Sequence, residues 1–143
     1  MNKNDYVKWG GQCVKIISIK DKKYGIIVLT TKRTKEVGSC YPISLLTKGV
    51  LEACGFSKNA ADQYLYKCSI TPSIDIEYHI APLKKTYKID YVDHNGKWQT
   101  ASGDNIISCD GLQDKVRDLT GLELNINTDK LVRAVQNNKW IYY

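Results

Sequence analysis

Ile74-Asp75-Ile76-Glu77-Tyr78-His79-Ile80 alternates apolar and polar side chains at every step. A period of two marks a strand with one buried and one wet face. Tyr64, Tyr66, Cys68 and Ile70 share one face of the segment before it, and Tyr87, Ile89 and Tyr91 one face of the segment after it. Asp93-His94-Asn95-Gly96 carries the Asn-Gly hairpin signal, joining Tyr87 to Val92 with Lys97 to Thr100. The pattern predicts an antiparallel meander of about four strands.

Upstream, Asp5-Tyr6-Val7-Lys8-Trp9, the turn Gly10-Gly11 and Cys13 to Ile19 read as strand, turn and strand, because paired glycines supply the positive φ of tight hairpins. Lys20-Asp21-Lys22-Lys23 makes the next turn, and Tyr24 to Thr31 a third strand. Apolar residues on both faces of the second and third strands favour a small SH3-like barrel or an equivalent rolled meander. Lys32-Arg33-Thr34-Lys35-Glu36 then reads as an exposed loop.

Three short helices are predicted. Thr47 caps the first, Val50, Leu51 and Cys54 form its apolar face, Gly55 takes the left-handed C′ position, and Phe56 packs back on Leu51. For the second, Asp110 and Gln113 resemble a capping box, Leu112, Val116 and Leu119 form the stripe, and Gly121 closes the helix. Leu122 to Ile126 reads as a short strand. Thr128 or Asp129 caps the last helix, with Leu131, Val132 and Val135 inward and an end near Asn137-Asn138. Trp140-Ile141-Tyr142-Tyr143 is apolar enough to dock as a final strand or cover the core. The fold class is α+β, with a basic barrel-like subdomain at 1–45 and an α+β subdomain at 46–143, or one continuous compact domain.

A chain of 143 residues with 43% hydrophobic and 25% charged side chains can bury a core large enough to offset its ordering entropy. Its N-terminus has no apolar stretch behind the first lysine, and nowhere do 18 apolar residues run together, so the chain reads as neither secreted nor membrane-spanning. Five cysteines, an odd number with no Cys-x-x-Cys pair, read as reduced and buried thiols in a cytoplasmic protein. Charge is unevenly placed. Residues 1–35 hold nine basic side chains against two acidic ones, a net +7, while the other 108 residues hold twelve against thirteen, a net −1. Such an asymmetry points to an acidic partner.

Catalytic and metal chemistry find no pattern to rest on. The two histidines, His79 and His94, lack a partner motif, and no P-loop, dinucleotide fingerprint, zincin helix or EF-hand loop occurs. No catalytic residue, metal ligand or cofactor is assigned. What stands out is Lys8 and Trp9 with Lys15, Lys20, Lys22, Lys23, Lys32, Arg33 and Lys35, since cations beside an aromatic ring serve phosphate attraction and base stacking. Ten Tyr and three Trp against one Phe add aromatics with a polar tip, which suit a protein interface. The sequence therefore predicts a non-enzymatic binding or accessory protein whose partner is a protein or a nucleic acid, with no membrane role. The alternative is a protein that sequesters a nucleotide signal, or a small enzyme acting on a phosphate-containing ligand.

Tyr41-Pro42-Ile43-Ser44-Leu45-Leu46-Thr47, the Gly55-Phe56 helix end, and Leu112-Gln113 through Leu119-Thr120-Gly121-Leu122-Glu123-Leu124 resemble blocks of a group of small uncharacterised proteins from gut Bacteroidota genomes and their phages and mobile elements. The opening Tyr6 to Ile16 is similar to their usual start. Ser44 stands in place of the group's second proline, and Gly111 where a histidine often precedes Leu-Gln, so no role of that histidine carries over. The resemblance implies a shared fold and a bacterial or phage cytoplasmic origin, and no mechanism.

Overall fold

The computed structural model describes residues 1–81 and 84–137; the expectation for Trp140 to Tyr143 lies outside them. The fold is α+β. Strands β1 (Tyr6–Trp9), β2 (Gln12–Lys20), β3 (Lys23–Val28) and β4 (Thr34–Val37) form one antiparallel meander in chain order. After helix α1 (Lys48–Ala53), strands β5 (Ser57–Lys58), β6 (Leu65–Thr71), β7 (Ile74–Ala81), β8 (Lys84–Val92) and β9 (Trp98–Asp104) form a second. Helices α2 (Cys109–Thr120) and α3 (Thr128–Asn137) follow.

The alternation of β7 decides the larger sheet. Tyr66, Tyr78 and Tyr87 stand cross-strand of one another, as do Cys68, Ile76 and Ile89, and all six are buried. The opposite face carries the rows Leu65, His79, Thr86, Asp104 and Lys67, Glu77, Lys88, Ser102. Leu51, Leu112, Val116, Leu131 and Val135 cover the inner face from the helices, in one core that also takes in Cys13, Ile43 and Leu45. Truncating a fully buried leucine of this core, such as Leu112→Ala, removes about 2–5 kcal/mol.

The smaller sheet has its own cluster of Val7, Val14, Ile16, Ile26 and Val28, against which Trp9, Tyr24 and Val37 pack. Two strands separate β1 from β4, about 14 Å in a flat sheet. Yet Lys35 Nζ of β4 lies 4.8 Å from the centre of the Trp9 ring of β1. The two side chains meet because the meander curls over its own apolar cluster. Its other face adds Cys13 to the main core, with Tyr6 and Leu29 packed beside it.

Helix ends follow local chemistry closely. Thr47 Oγ1 accepts from Val50 N, and at the far end Phe56 N donates to Leu51 O and Gly55 N to Glu52 O, with Gly55 at φ +94°. This is the Schellman arrangement. Gly121 ends α2 at φ +74°.

Several expectations are corrected. Lys32 to Glu36 is not all loop: residues from Thr34 onward pair with β3 as an edge strand, since Ile26 and Val28 turn their backbone groups away from β2. The larger sheet has five strands, through the short β5, and β9 runs on to Asp104. Ser108, not Asp110, caps α2, because its hydroxyl reaches Gly111 N at 3.2 Å. Gln113 closes no capping box; its carboxamide oxygen accepts from Leu124 N at 2.7 Å. That bond, with Asn127 N to Ala53 O and Ile126 N to Leu124 O, satisfies residues 124–127 without a ladder, so Leu122 to Ile126 is not a strand. Asn127 precedes α3 and accepts from Lys130 N, taking the place expected for Thr128 or Asp129.

Candidate functional site

Strand register disperses the nine basic and aromatic candidates. Lys20 pairs across the β2–β3 hairpin with Lys23, and Lys22 sits in the turn between them. Lys32 and Arg33 lie in the β3–β4 turn, at the other end of β3, about 17 Å away. Lys35 stands cross-strand of Ile26 and so shares the Trp9 face. Lys8 and Lys15, paired with Cys13 and Tyr6, lie on the other face. Six of the eight cations are exposed, and Lys8 and Lys15 are half-buried.

Their partners differ too. Lys23 forms a 3.6 Å ion pair with Glu36 between exposed side chains, an interaction worth little in water. Lys15 Nζ lies 5.7 Å from the Tyr6 ring. Among the described residues no carboxylate pairs with Lys20, Lys22, Lys32 or Arg33. Trp9 is half-buried, with Lys35 over its ring. It therefore helps close the small cluster, and a stacking base would have to displace that lysine or take what remains exposed of the ring.

A second feature was not legible in the sequence. The wet face of the larger sheet holds a groove of about 530 Å³ lined by Leu65, Glu77, His79, Thr86, Lys88 and Asp104, among others. His79 Nε2 lies 3.2 Å from Asp62 Oδ2, in the turn before β6, and its ring is tilted against Tyr64. The amide of Tyr64, helped by His79, holds the Asp62 carboxyl below its ordinary range. A carboxylate-oriented imidazole is half of a nucleophilic constellation, whose other half is a nucleophile within hydrogen-bond reach of the ring. The outward position of His79 was readable from the strand period; its acidic partner, seventeen residues earlier, was not.

A smaller cleft of about 360 Å³ lies where Asn4, Tyr6 and Lys15 face Gln113, Glu123 and residues 124–127. Lysine and glutamate share it, so its charge does not select an anion. Four of the five cysteines meet in the main core. Cys54 and Cys109 bring their sulfurs to 3.7 Å, and Cys68 lies 4.0 Å from the Cys54 carbonyl. Burial pushes the Cys13 thiol up to about 12 and the Cys68 thiol to about 11, which removes nucleophilic thiolate at neutral pH. Among the described residues no group of three or more His, Cys, Asp or Glu is placed to hold a metal ion.

No helix among the described residues is long and apolar enough to cross a membrane. No protein family, curated protein or solved structure matches the chain.

Proposed function

We propose that this chain is a non-enzymatic binding or accessory protein, of bacterial or phage origin and acting in the cytoplasm, that engages an acidic protein surface through its N-terminal sheet. One observation carries the reading: the whole positive excess lies on a single small sheet, and its six exposed cations project from two hairpin tips and an edge strand. Separated clusters of exposed lysine steer an acidic surface and set its register. The rolled, SH3-like character of the meander is part of the same proposal, since the curl is what turns the tips outward.

Single-stranded nucleic acid is the second reading, favoured by a half-buried Trp9 on the same sheet as the exposed lysines, with Lys35 over its ring. It is the weaker of the two, because Lys35 occupies the ring on which a base would stack. Capture from a bacterial lysate with and without nuclease separates them. The first reading expects a retained acidic protein after nuclease treatment, lost when Lys22, Lys23, Lys32 and Arg33 are replaced by Ser. Retention of nucleic acid alone, with affinity falling steeply with salt and weakened by Trp9→Ala, overturns the first reading in favour of the second.

A further inference from the structure

Among the described residues, the β9 strand is a long sheet edge without the usual protection. Exposed edges are normally blunted by lysine, proline, a bulge, shortness or a covering segment. In this chain β4 carries Lys35 and Glu36, β1 is bridged at Lys8 by Tyr41, and β5 has two residues. From Trp98 to Asp104 the seven residues are Trp-Gln-Thr-Ala-Ser-Gly-Asp, with no lysine, proline or register shift. Trp98 is 58% exposed.

The hydrogen-bond parity of the hairpin fixes which groups face outward. Asp93 N donates to Lys97 O, so that pair is hydrogen-bonded and the next, Val92 with Trp98, is not. Val92 accordingly turns its N–H away from β9 and donates to Ser73 O at 3.2 Å. Alternation then leaves the N–H and C=O of Trp98, Thr100, Ser102 and Asp104 pointing out of the sheet, and no hydrogen bond of the described chain uses them.

We propose that β9 pairs antiparallel with β9 of a second copy of this chain, about a two-fold axis at Ala101. In this register Trp98 stands opposite the second copy's Asp104 and Thr100 opposite its Ser102, so all four outward residues fall in hydrogen-bonded pairs. Shifting the centre to Thr100 or Ser102 leaves one of the four unpaired. Charge agrees with the choice. The one acidic residue of the strand, Asp104, meets the end of the second copy where Lys97 enters the strand, and no like charges are opposed. Ala101 faces its own copy at the close, non-hydrogen-bonded position, and Gln99 faces a glycine. The result is a continuous ten-stranded sheet that covers Trp98. An isologous contact of this kind closes at two copies. It stands independently of the function proposed above.

The test is the mass of the full-length protein in solution across a concentration series, by sedimentation equilibrium. A dimer is expected, weakened at least about 10-fold by Ser102→Pro, which removes an outward N–H and no bond within the chain. Ala101→Cys reports the register: mild oxidation should give a covalent dimer on a non-reducing gel, whereas Trp98→Cys should not, because its symmetry mate lies at the far end of the strand. If Ser102→Pro loses its native circular dichroism, the Ala101→Cys result decides alone. A monomer at about 1 mM overturns the proposal. So does a dimer that ignores Ser102→Pro and does not cross-link through Ala101→Cys.

Discussion

Arg117, in the last turn of α2, places Nη1 2.6 Å from the Oδ1 of Asp5, a carboxylate with no exposed surface near the N-terminal end of the chain. Asp114 and Glu123 share the same guanidinium at 3.2 and 3.0 Å, and the amide of Asn2 donates to the other Asp5 oxygen. The N-terminal sheet is thereby tied to the helical layer by a charge pair and not only by apolar contact. Removing the cation leaves a buried carboxylate uncompensated, so Arg117→Met should cost about 3–5 kcal/mol by thermal or urea unfolding. Asp5→Asn should cost less, since it takes the buried charge away.

The pH dependence of this pair has a definite sign. Burial raises the Asp5 carboxyl above its ordinary value, against the lowering effects of the Asn2 amide and Arg117. A raised carboxyl favours the folded state below its ordinary titration range, and that contribution is lost as pH rises through the raised value. Arg117→Met should raise the Asp5 carboxyl further and move the pH of maximum stability to more acid values, measurable in a series of melts.

Asp62 and Asp93 titrate in the opposite sense. The Tyr64 amide lowers the first and the Lys97 amide the second, with smaller help from His79 and from Gln99. Their contributions are present above the ordinary carboxylate value, near pH 4, and are lost as pH falls through the lowered values. Asp62→Asn and Asp93→Asn should each flatten the acid limb of the stability profile and leave the neutral plateau less changed. An acid limb as steep as the parent's in the double variant would show that these caps do not stabilise the folded state.

Gly55 and Gly121 separate backbone strain from crowding. A β-carbon at Gly121 meets no atom within 4 Å, whereas one at Gly55 comes 3.4 Å from Cys68 Sγ and 3.6 Å from the Asn125 carbonyl. Gly121→Val should cost about 1–2 kcal/mol through the left-handed φ alone, and Gly55→Val more. The converse holds in the β2–β3 turn, where Asp21 and Lys22 adopt φ of +51° and +64°. Lys22→Gly should raise stability by about 0.5–1 kcal/mol in the same melts.

The thiols should divide by burial. Cys13, Cys54, Cys68 and Cys109 are buried, and Cys40 is partly accessible. A native sample treated with a thiol reagent should label quickly at Cys40 alone, and all five should label after unfolding. Intact mass without reductant should correspond to five free thiols; a loss of two protons would show an internal disulfide.

The elements and their ends were legible because the forces that set them act within a few residues. The period of two at Ile74 to Ile80 survives as the buried row of Ile74, Ile76 and Tyr78 with Ile80 half-buried, Thr47 caps its helix, and Gly55 with Phe56 closes it. Where neighbours compete for the same role, the local signal misled: Ser108 outreached Asp110, and Asn127 preceded Thr128. The segment at Thr34 became a strand because an adjacent edge needed a partner, which no local pattern records.

Sequence alone also determined the quantity of charge and where along the chain it falls, since that is a matter of composition. Only the tertiary structure decided what each charge faces. Register put Lys35 over Trp9 and sent Lys8 and Lys15 to the other side of the same sheet. Chain folding brought Cys54 to Cys109, Asp62 to His79 and Asp5 to Arg117, across separations from 17 to 112 residues. It also left β9 at the edge of the larger sheet, paired with β8 on one side. Local hydrogen bonds and steric preferences fix elements, whereas curl, register and packing place them, and those arise only when distant apolar faces are buried together.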